Sequence, residues 1–280
     1  MSMSWPLPDR FTTEHGDPAA RANTILLAEA GSTAHGMGTG ADDLDLLGVY
    51  IEHPDQVLGI AASKESFIAR TASEGERSHA GDIDLTLYGL RKFLRLATAG
   101  NPTVLIALYS ERYDATYLGE ELRALAPAIV SRRAGHRFLG YLDGQLERMR
   151  GKGRQSRVPN RPELVERHGF DTKYAAHAVR LGLQGIELLD TGRLSIPMQQ
   201  DNRELVLAVR GGEYTQGEVD DMATGIRGML AAAVNNTDGG PLRQEPDLDA
   251  VNEFAAKAHN QHWMTTFYRP RYALGFPTDA

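Results

Sequence analysis

The sequence contains no cysteine. Disulfides, thiolate metal sites and a cysteine nucleophile are therefore excluded, and a reducing compartment is the natural setting. It also lacks any run approaching the roughly 18 apolar residues of a membrane span, so no membrane association is expected. Met1 to Arg10 lack a basic stretch followed by an apolar one. No signal peptide is expected there, and a cytoplasmic protein is the default. No internal repeat and no long low-complexity tract breaks the chain. Its 280 residues suit one large domain or two modest ones with a sizeable core.

What is present is typical of a globular protein, with 41% hydrophobic and 24% charged residues. The net charge of −7 is unevenly spread. Residues 131–170 contain ten Lys/Arg against four acids, a local charge of +6 that leaves −13 elsewhere. Such asymmetry points to an anionic partner near the middle of the chain, and leans weakly toward a nucleic-acid acceptor.

The first part of the chain reads as mixed α and β. Residues 23–30 (NTILLAEA) form a short buried strand, followed by a glycine-rich loop from Gly31 to Gly40. Residues 44–52 (LDLLGVYIE), 66–70 and 82–87 (DIDLTL) read as further strands. Helices are expected over 88–97 and 102–109, with a polar loop over 71–81. From about Leu118 the pattern is helical. Helices are expected over 131–150, from the N-cap Asp171 to about Asp190, from the capping box Thr215/Glu218 to about Val234, and over 248–268. Residues 151–162 read as a basic loop. The expected architecture is α+β. A small mixed-sheet, palm-like domain over 1–117 precedes an all-helical domain over 118–280.

One constellation carries the chemistry. Gly31-Ser32 is followed, ten residues on, by Asp43-Leu44-Asp45. Alternate strand residues share a face, so both carboxylates point the same way at a strand start. Two carboxylates side by side concentrate negative charge that a divalent cation relieves, and magnesium prefers oxygen ligands shared with substrate phosphates. The small residues ahead of the pair let backbone N–H groups approach a phosphate, with the Ser32 hydroxyl as a further donor. A third carboxylate would come from Asp82 or Asp84. Asp84 is favoured, because its run is most clearly continuous with the strand and the following helix. With two ions, one stabilises leaving pyrophosphate and the other lowers the pKa of the attacking hydroxyl.

Farther on, Lys173, His177, Arg180 and Gln184 follow one another at helical spacing. They form one polar stripe with three potential cations, while Ala178, Leu181 and Leu188 lie on another side. A cationic stripe starting near a helix N-terminus suits a triphosphate, and this face is expected to close over a nucleotide. His35 reads as a turn residue. His259 and His262 have a spacing that zinc ligands use, but without a third ligand a structural role is expected. Trp263, Phe267 and Tyr268 read as core or docking residues.

The run Gly31-Ser32-Thr33-Ala34-His35-Gly36, with Asp43-Leu44-Asp45-Leu46-Leu47-Gly48-Val49-Tyr50, resembles the signature of the DNA polymerase beta-like nucleotidyltransferase superfamily. It is most similar to a branch of predicted nucleotidyltransferases of bacteria and their phages. The resemblance continues through Tyr88 to Leu96, Gly100-Asn101-Pro102-Thr103 and Gly169 to Arg180, and covers roughly residues 23–235. It implies a small mixed sheet flanked by helices and a helical domain closing a nucleotide cleft. It also implies Asp43 and Asp45 as ligands of magnesium and Ser32 as a phosphate contact. The expected activity is transfer of a nucleotidyl group from a magnesium–nucleoside triphosphate to a hydroxyl of RNA, protein or a small molecule. Two other readings compete. In one, a catalytically inactive module senses a nucleotide and lacks the third carboxylate. In the other, an interaction protein uses only the fold, its cleft blocked by its own C-terminal residues.

Overall fold

The computed structural model describes residues 22–38, 40, 42–60, 64–72, 79–152, 161–236 and 239–267. The N-terminal decapeptide, Tyr268 and most of the basic loop lie outside them. Its sheet consists of β1 (Thr24–Glu29), β2 (Leu44–Tyr50), β3 (Ser66–Arg70), β4 (Ile83–Gly89) and β5 (Tyr113–Ala115). The spatial order is β3-β4-β2-β1-β5. β2 and β4 run parallel, and the other pairings are antiparallel. The chain is thus α+β, with a mixed sheet.

Strand periodicity decides which side of this sheet carries the chemistry. Leu47 and Val49 of β2 pack into the main core, whereas Leu46 and Tyr50 join a small cluster on the opposite face with Leu27, Ala69, Leu85 and Leu87. Asp45 alternates with Leu47 and Val49, so it belongs to the side where the helices stand. On β4 the apolar Ile83, Leu85 and Leu87 take the small cluster. Asp84, Thr86 and Tyr88 therefore share the helix side with Asp45.

The helices are α1 (Gly31–Ala34), α2 (Pro54–Leu58), α3 (Leu90–Thr98), α4 (Pro102–Tyr109), α5 (Tyr117–Ala124) and α6 (Ala126–Ile129), followed by α7 (Arg133–Met149) and α8 (Pro162–His168). The chain continues through α9 (Thr172–Thr191), α10 (Gln200–Gly211), α11 (Gln216–Asn235) and α12 (Leu248–Thr266). α7, α9 and α11 pack into one bundle through Phe138, Leu142, Ala178, Leu188 and Leu230. Each such buried Phe or Leu contributes on the order of 2 kcal/mol, and the methyl of Ala178 less. Gly182 lets α9 approach closely, because a Cβ there would lie 2.3 Å from Ile226 Cγ2. One apolar cluster runs from Ile25 and Leu26 of β1, through α4, into this bundle.

Helix signals in the sequence correspond to real caps. Asp171 accepts from the Lys173 and Tyr174 amides, both at 3.1 Å. Thr215 and Glu218 form the capping box at the start of α11. The expected helix over 88–97 begins later, at Leu90, because Tyr88 and Gly89 extend β4. Leu90 N and Arg91 N donate to the buried Glu52 carboxylate, which thereby caps α3. Residues 31–34, expected as loop, turn through one short helix.

α12 returns to the sheet side and contacts α3 and α6. His259 Nε2 meets Glu52 Oε2 at 2.9 Å, Trp263 Nε1 donates to the Glu52 carbonyl at 2.8 Å, and His262 Nε2 meets Asn23 Oδ1 at 2.8 Å. Both histidines therefore work in docking this helix. No helix among the described residues is long and apolar enough to cross a membrane.

Candidate active site

The parallel pairing of β2 with β4 places Asp45 directly opposite Asp84. Carboxylate oxygens of Asp43, Asp45 and Asp84 lie within 4.8 Å of one another, and all three side chains are partly buried. The crowding has an electrostatic signature. Burial first, then the negative charges of Asp43 and Asp84, push the Asp45 carboxyl up to about 6. Lys173 and Arg70 partly oppose that shift.

The cross-strand neighbour of Asp84 is Arg70 on β3. Its guanidinium forks onto the carboxylate, with Nε 3.0 Å from Oδ1 and Nη2 2.6 Å from Oδ2. Asp82 is placed differently. Its oxygens accept from Thr71 Oγ1 at 2.6 Å and from the His79 amide at 2.8 Å, closing the turn that enters β4. The cluster takes Asp84, and Asp82 serves the turn.

Gly31 makes the cluster sterically feasible. It has φ +66°, and a Cβ there would lie 1.9 Å from Asp45 Oδ2. A side chain would thus meet strain and a clash together. Ala30 N also donates to the Asp45 carbonyl at 2.8 Å, fixing the end of β1 against the start of β2.

Two cavities meet at the acids. The smaller, about 310 Å³, is lined by Ser32, Asp43, Asp45, Lys173, His177 and Arg210 among others. The larger, about 690 Å³, opens on the Asp84 side. Gly31, His35, Asp45, His177 and Arg180 border both. The stripe read on α9 thus faces the acids, with two physical corrections. His177 is not a third cation: burial first, then Arg180, Arg148, Lys173 and Arg161, hold it down to about 3, so it is neutral. The bare N-terminus of α9 is also not available to a phosphate, because Asp171 already caps its amides. Asp171 is paired in turn with Arg161 at 3.0 Å. The attraction for an anion comes from side-chain cations.

Arg180 is held in place by two partners. Its Nη1 lies 2.7 Å from His35 Nε2 and 2.8 Å from Gln184 Oε1. His35 is 1% exposed, and burial together with the Arg180 charge keeps its pKa well below the usual histidine value. A neutral ring can accept from the guanidinium, so His35 is a positioning residue for Arg180.

The family model of RlaP, the RNA repair pathway DNA polymerase beta family, matches residues 9–257. The chain belongs to this family. Membership and the α+β fold place it among the nucleotidyltransferases. No curated protein matches the sequence. A solved structure, the nucleotidyltransferase-like protein from Exiguobacterium sibiricum 255-15, matches at 8% identity. That alignment covers 94% of this chain and 80% of that one with a TM-score of 0.30, a likeness too slight to carry further weight.

Three residues of this RlaP-family site escaped the sequence reading. His35 was expected as a turn residue, and nothing local signals that α9 will bury it. Arg70 is a surface arginine until the β3–β4 register sets it opposite Asp84. Arg210 sits in the last turn of α10 and reaches the smaller cavity, 3.8 Å from Asp42. Among the described residues of the basic segment, several arginines besides Arg161 are engaged within the fold. Arg133 pairs with Glu245 and Arg150 with Asp220, Arg137 donates to the Ala99 carbonyl, and Arg132 donates to the Ala233 and Asn236 carbonyls.

Proposed function

We propose that the chain transfers a nucleoside monophosphate group from a magnesium–nucleoside triphosphate to an RNA hydroxyl, with release of pyrophosphate. The observation that carries this reading is the gathering of three carboxylates at the junction of two cavities, the smaller lined by cations. RNA is the acceptor suggested by the description of the family, which names an RNA repair pathway.

The donor set fits magnesium. All three groups offer oxygen, which magnesium prefers, and their mutual repulsion is a cost that a divalent cation relieves. The Arg70 fork leaves Asp84 room, since a carboxylate has about four lone-pair sites. In this reading Asp43, Asp45 and Asp84 hold two ions. When bound, these neutralise the leaving pyrophosphate and lower the pKa of the attacking hydroxyl.

The chain's own residues supply the positioning. Ser32 and the tight turn at Gly31 contact a phosphate, while Lys173, Arg180 and Arg210 spread positive charge along the smaller cavity. His177, being neutral, offers a hydrogen bond. The acceptor oxygen forms a bond to the α-phosphorus as the bond from that phosphorus to the bridging oxygen breaks. Pyrophosphate leaves with the electron pair, and the hydroxyl proton passes to a triad carboxylate and then to solvent. Positioning and fixed charge do most of the work in such a transfer.

The sensing-module reading expects no third carboxylate beside Asp43 and Asp45, so the place of Asp84 supports chemistry. The blocked-cleft reading finds no support in α12, none of whose described residues lines either cavity. The test is to titrate the protein with each nucleoside triphosphate, with and without magnesium, and to follow pyrophosphate release on adding RNA. Metal-dependent binding lost in Asp43→Ala, with pyrophosphate released only by the intact triad, is expected. Binding without turnover on any RNA would restore the sensing module.

A further inference from the structure

We propose that the larger cavity is the acceptor subsite. It receives the 3′-terminal nucleoside of a single-stranded RNA, and the side-chain amide of Gln145 reads the base edge. This rests on the transferase reading above and assigns residues to its unassigned half.

Charge separates the two cavities. The smaller carries Lys173, Arg180 and Arg210, which suits a triphosphate. The larger shares Arg180 and adds only Arg70, already forked onto Asp84. A weakly charged group therefore belongs there. Position agrees: Asp84, Thr86 and Tyr88 follow one another along the same face of β4, so the cavity wall begins at the third carboxylate. An RNA end carries free ribose hydroxyls at its 3′ nucleoside, the group that must approach this acid.

The lining matches a nucleoside. Tyr88, Tyr141, Ile106 and Leu181 supply aromatic and apolar surface, with Thr103 and Gln145 among them. A volume of about 690 Å³ is within the range of small-molecule sites. Gln145 is the decisive side chain. It lies on the buried side of α7, is 6% exposed, and its Oε1 meets no hydrogen-bond donor. That oxygen is turned away from the open space, and buried polar atoms are almost always satisfied, so Gln145 is a wall residue whose amide gains a partner by turning toward a ligand. An amide offers a donor and an acceptor side by side, which pairs with a base edge as glutamine does with adenine. The tyrosine rings provide surfaces against which any base can pack.

The test is equilibrium binding of 5′-fluorescent single-stranded oligoribonucleotides, identical except for the 3′-terminal base, followed by anisotropy without magnesium or triphosphate. Binding of each magnesium–nucleoside triphosphate is measured in parallel. The intact protein is expected to favour one terminal base several-fold. It should also bind the same strand less well when its 3′ hydroxyl is phosphorylated, because that charge would meet the acids. Gln145→Leu should weaken binding of the favoured strand roughly tenfold, erase the preference, and leave triphosphate binding within about twofold. Tyr88→Ala should weaken all four strands alike, by about tenfold. If Gln145→Leu instead weakens triphosphate binding and spares RNA, the cavity belongs to the incoming nucleotide. The subsite assignment then falls while the transferase reading stands. If no strand shows end-dependent binding, yet a triphosphate binds and a non-RNA acceptor releases pyrophosphate, both the RNA acceptor and this subsite are wrong.

Discussion

Replacing Asp45 by Asn should stabilise the metal-free protein and disable it. Burial and the charges of Asp43 and Asp84 raise this carboxyl from an ordinary 3.8 to about 6. A raised carboxyl pKa means that the fold favours the neutral acid. The favourable contribution is complete below the unfolded pKa near 4, declines as pH rises through about 6, and is gone above it. That rise in pKa corresponds to about 3 kcal/mol. Asp45 is only partly buried, so solvent screening reduces this to about 1–2 kcal/mol. Asn keeps the neutral form at every pH, and its amide can donate to the neighbouring carboxylates. In a chain of this size about 1–2 kcal/mol moves the melting temperature by about 2–6 °C. Thermal melts in chelator should therefore show Asp45→Asn equal to the parent below about pH 4 and higher by that amount at pH 7.5. Adding magnesium at pH 7.5 should raise the parent and leave the variant unmoved. A difference that stays flat with pH, or a variant less stable at pH 7.5, would refute the electrostatic account of the cluster.

Three further outcomes are expected. Gly31→Ala places a Cβ 1.9 Å from Asp45 Oδ2 at φ +66°. It should destabilise the fold by about 1–3 kcal/mol in urea unfolding and weaken magnesium-dependent nucleotide binding. Arg180→Lys keeps the charge but loses the planar guanidinium whose Nη1 joins His35 to Gln184. Isothermal titration should show a roughly tenfold loss of triphosphate affinity, the size of one charge-assisted hydrogen bond. Glu52→Gln turns a carboxylate that accepts from Leu90 N, Arg91 N and His259 into an amide with one acceptor oxygen. Chemical denaturation should report a loss of about 1–3 kcal/mol, with nucleotide affinity preserved, because this network lines neither cavity at the acids.

The parts of the site legible in the sequence were those set by local rules. Strand alternation predicts a common direction for Asp43 and Asp45, and helical spacing predicts a common face for Lys173, His177 and Arg180. Caps at Asp171 and Thr215 depend on three or four residues. What stayed hidden depends on register and burial. Sequence continuity favours Asp84 over Asp82, but both alternate on the same short run, and it is the parallel pairing of β2 with β4 that sets Asp84 opposite Asp45. Only the antiparallel β3–β4 register makes Arg70 a partner of Asp84. The charge state of His177 follows first from its burial and then from Arg180, Arg148, Lys173 and Arg161, two of which lie outside its own helix. Composition exposed a basic segment over 131–170, yet composition cannot say which arginines the fold will use internally, and Arg132, Arg133, Arg137, Arg150 and Arg161 all have protein partners.

The two halves of the site have opposite electrostatic problems, and their proximity is what connects them. The acids of β2 and β4 repel one another, which raises the Asp45 pKa. On the helix side, burial first and then the surrounding cations hold His177 neutral and lower the Lys173 pKa. Each set relieves the other only partly, as the opposing effect of Lys173 on Asp45 shows. A ligand that brings both signs, anionic phosphate toward the helices and divalent metal toward the strands, relieves both at once. Metal and triphosphate should therefore bind with positive coupling, each tightening the other by the same factor. The charges left only partly balanced by the protein, on Asp45 and Lys173 above all, are the driving force for that coupling.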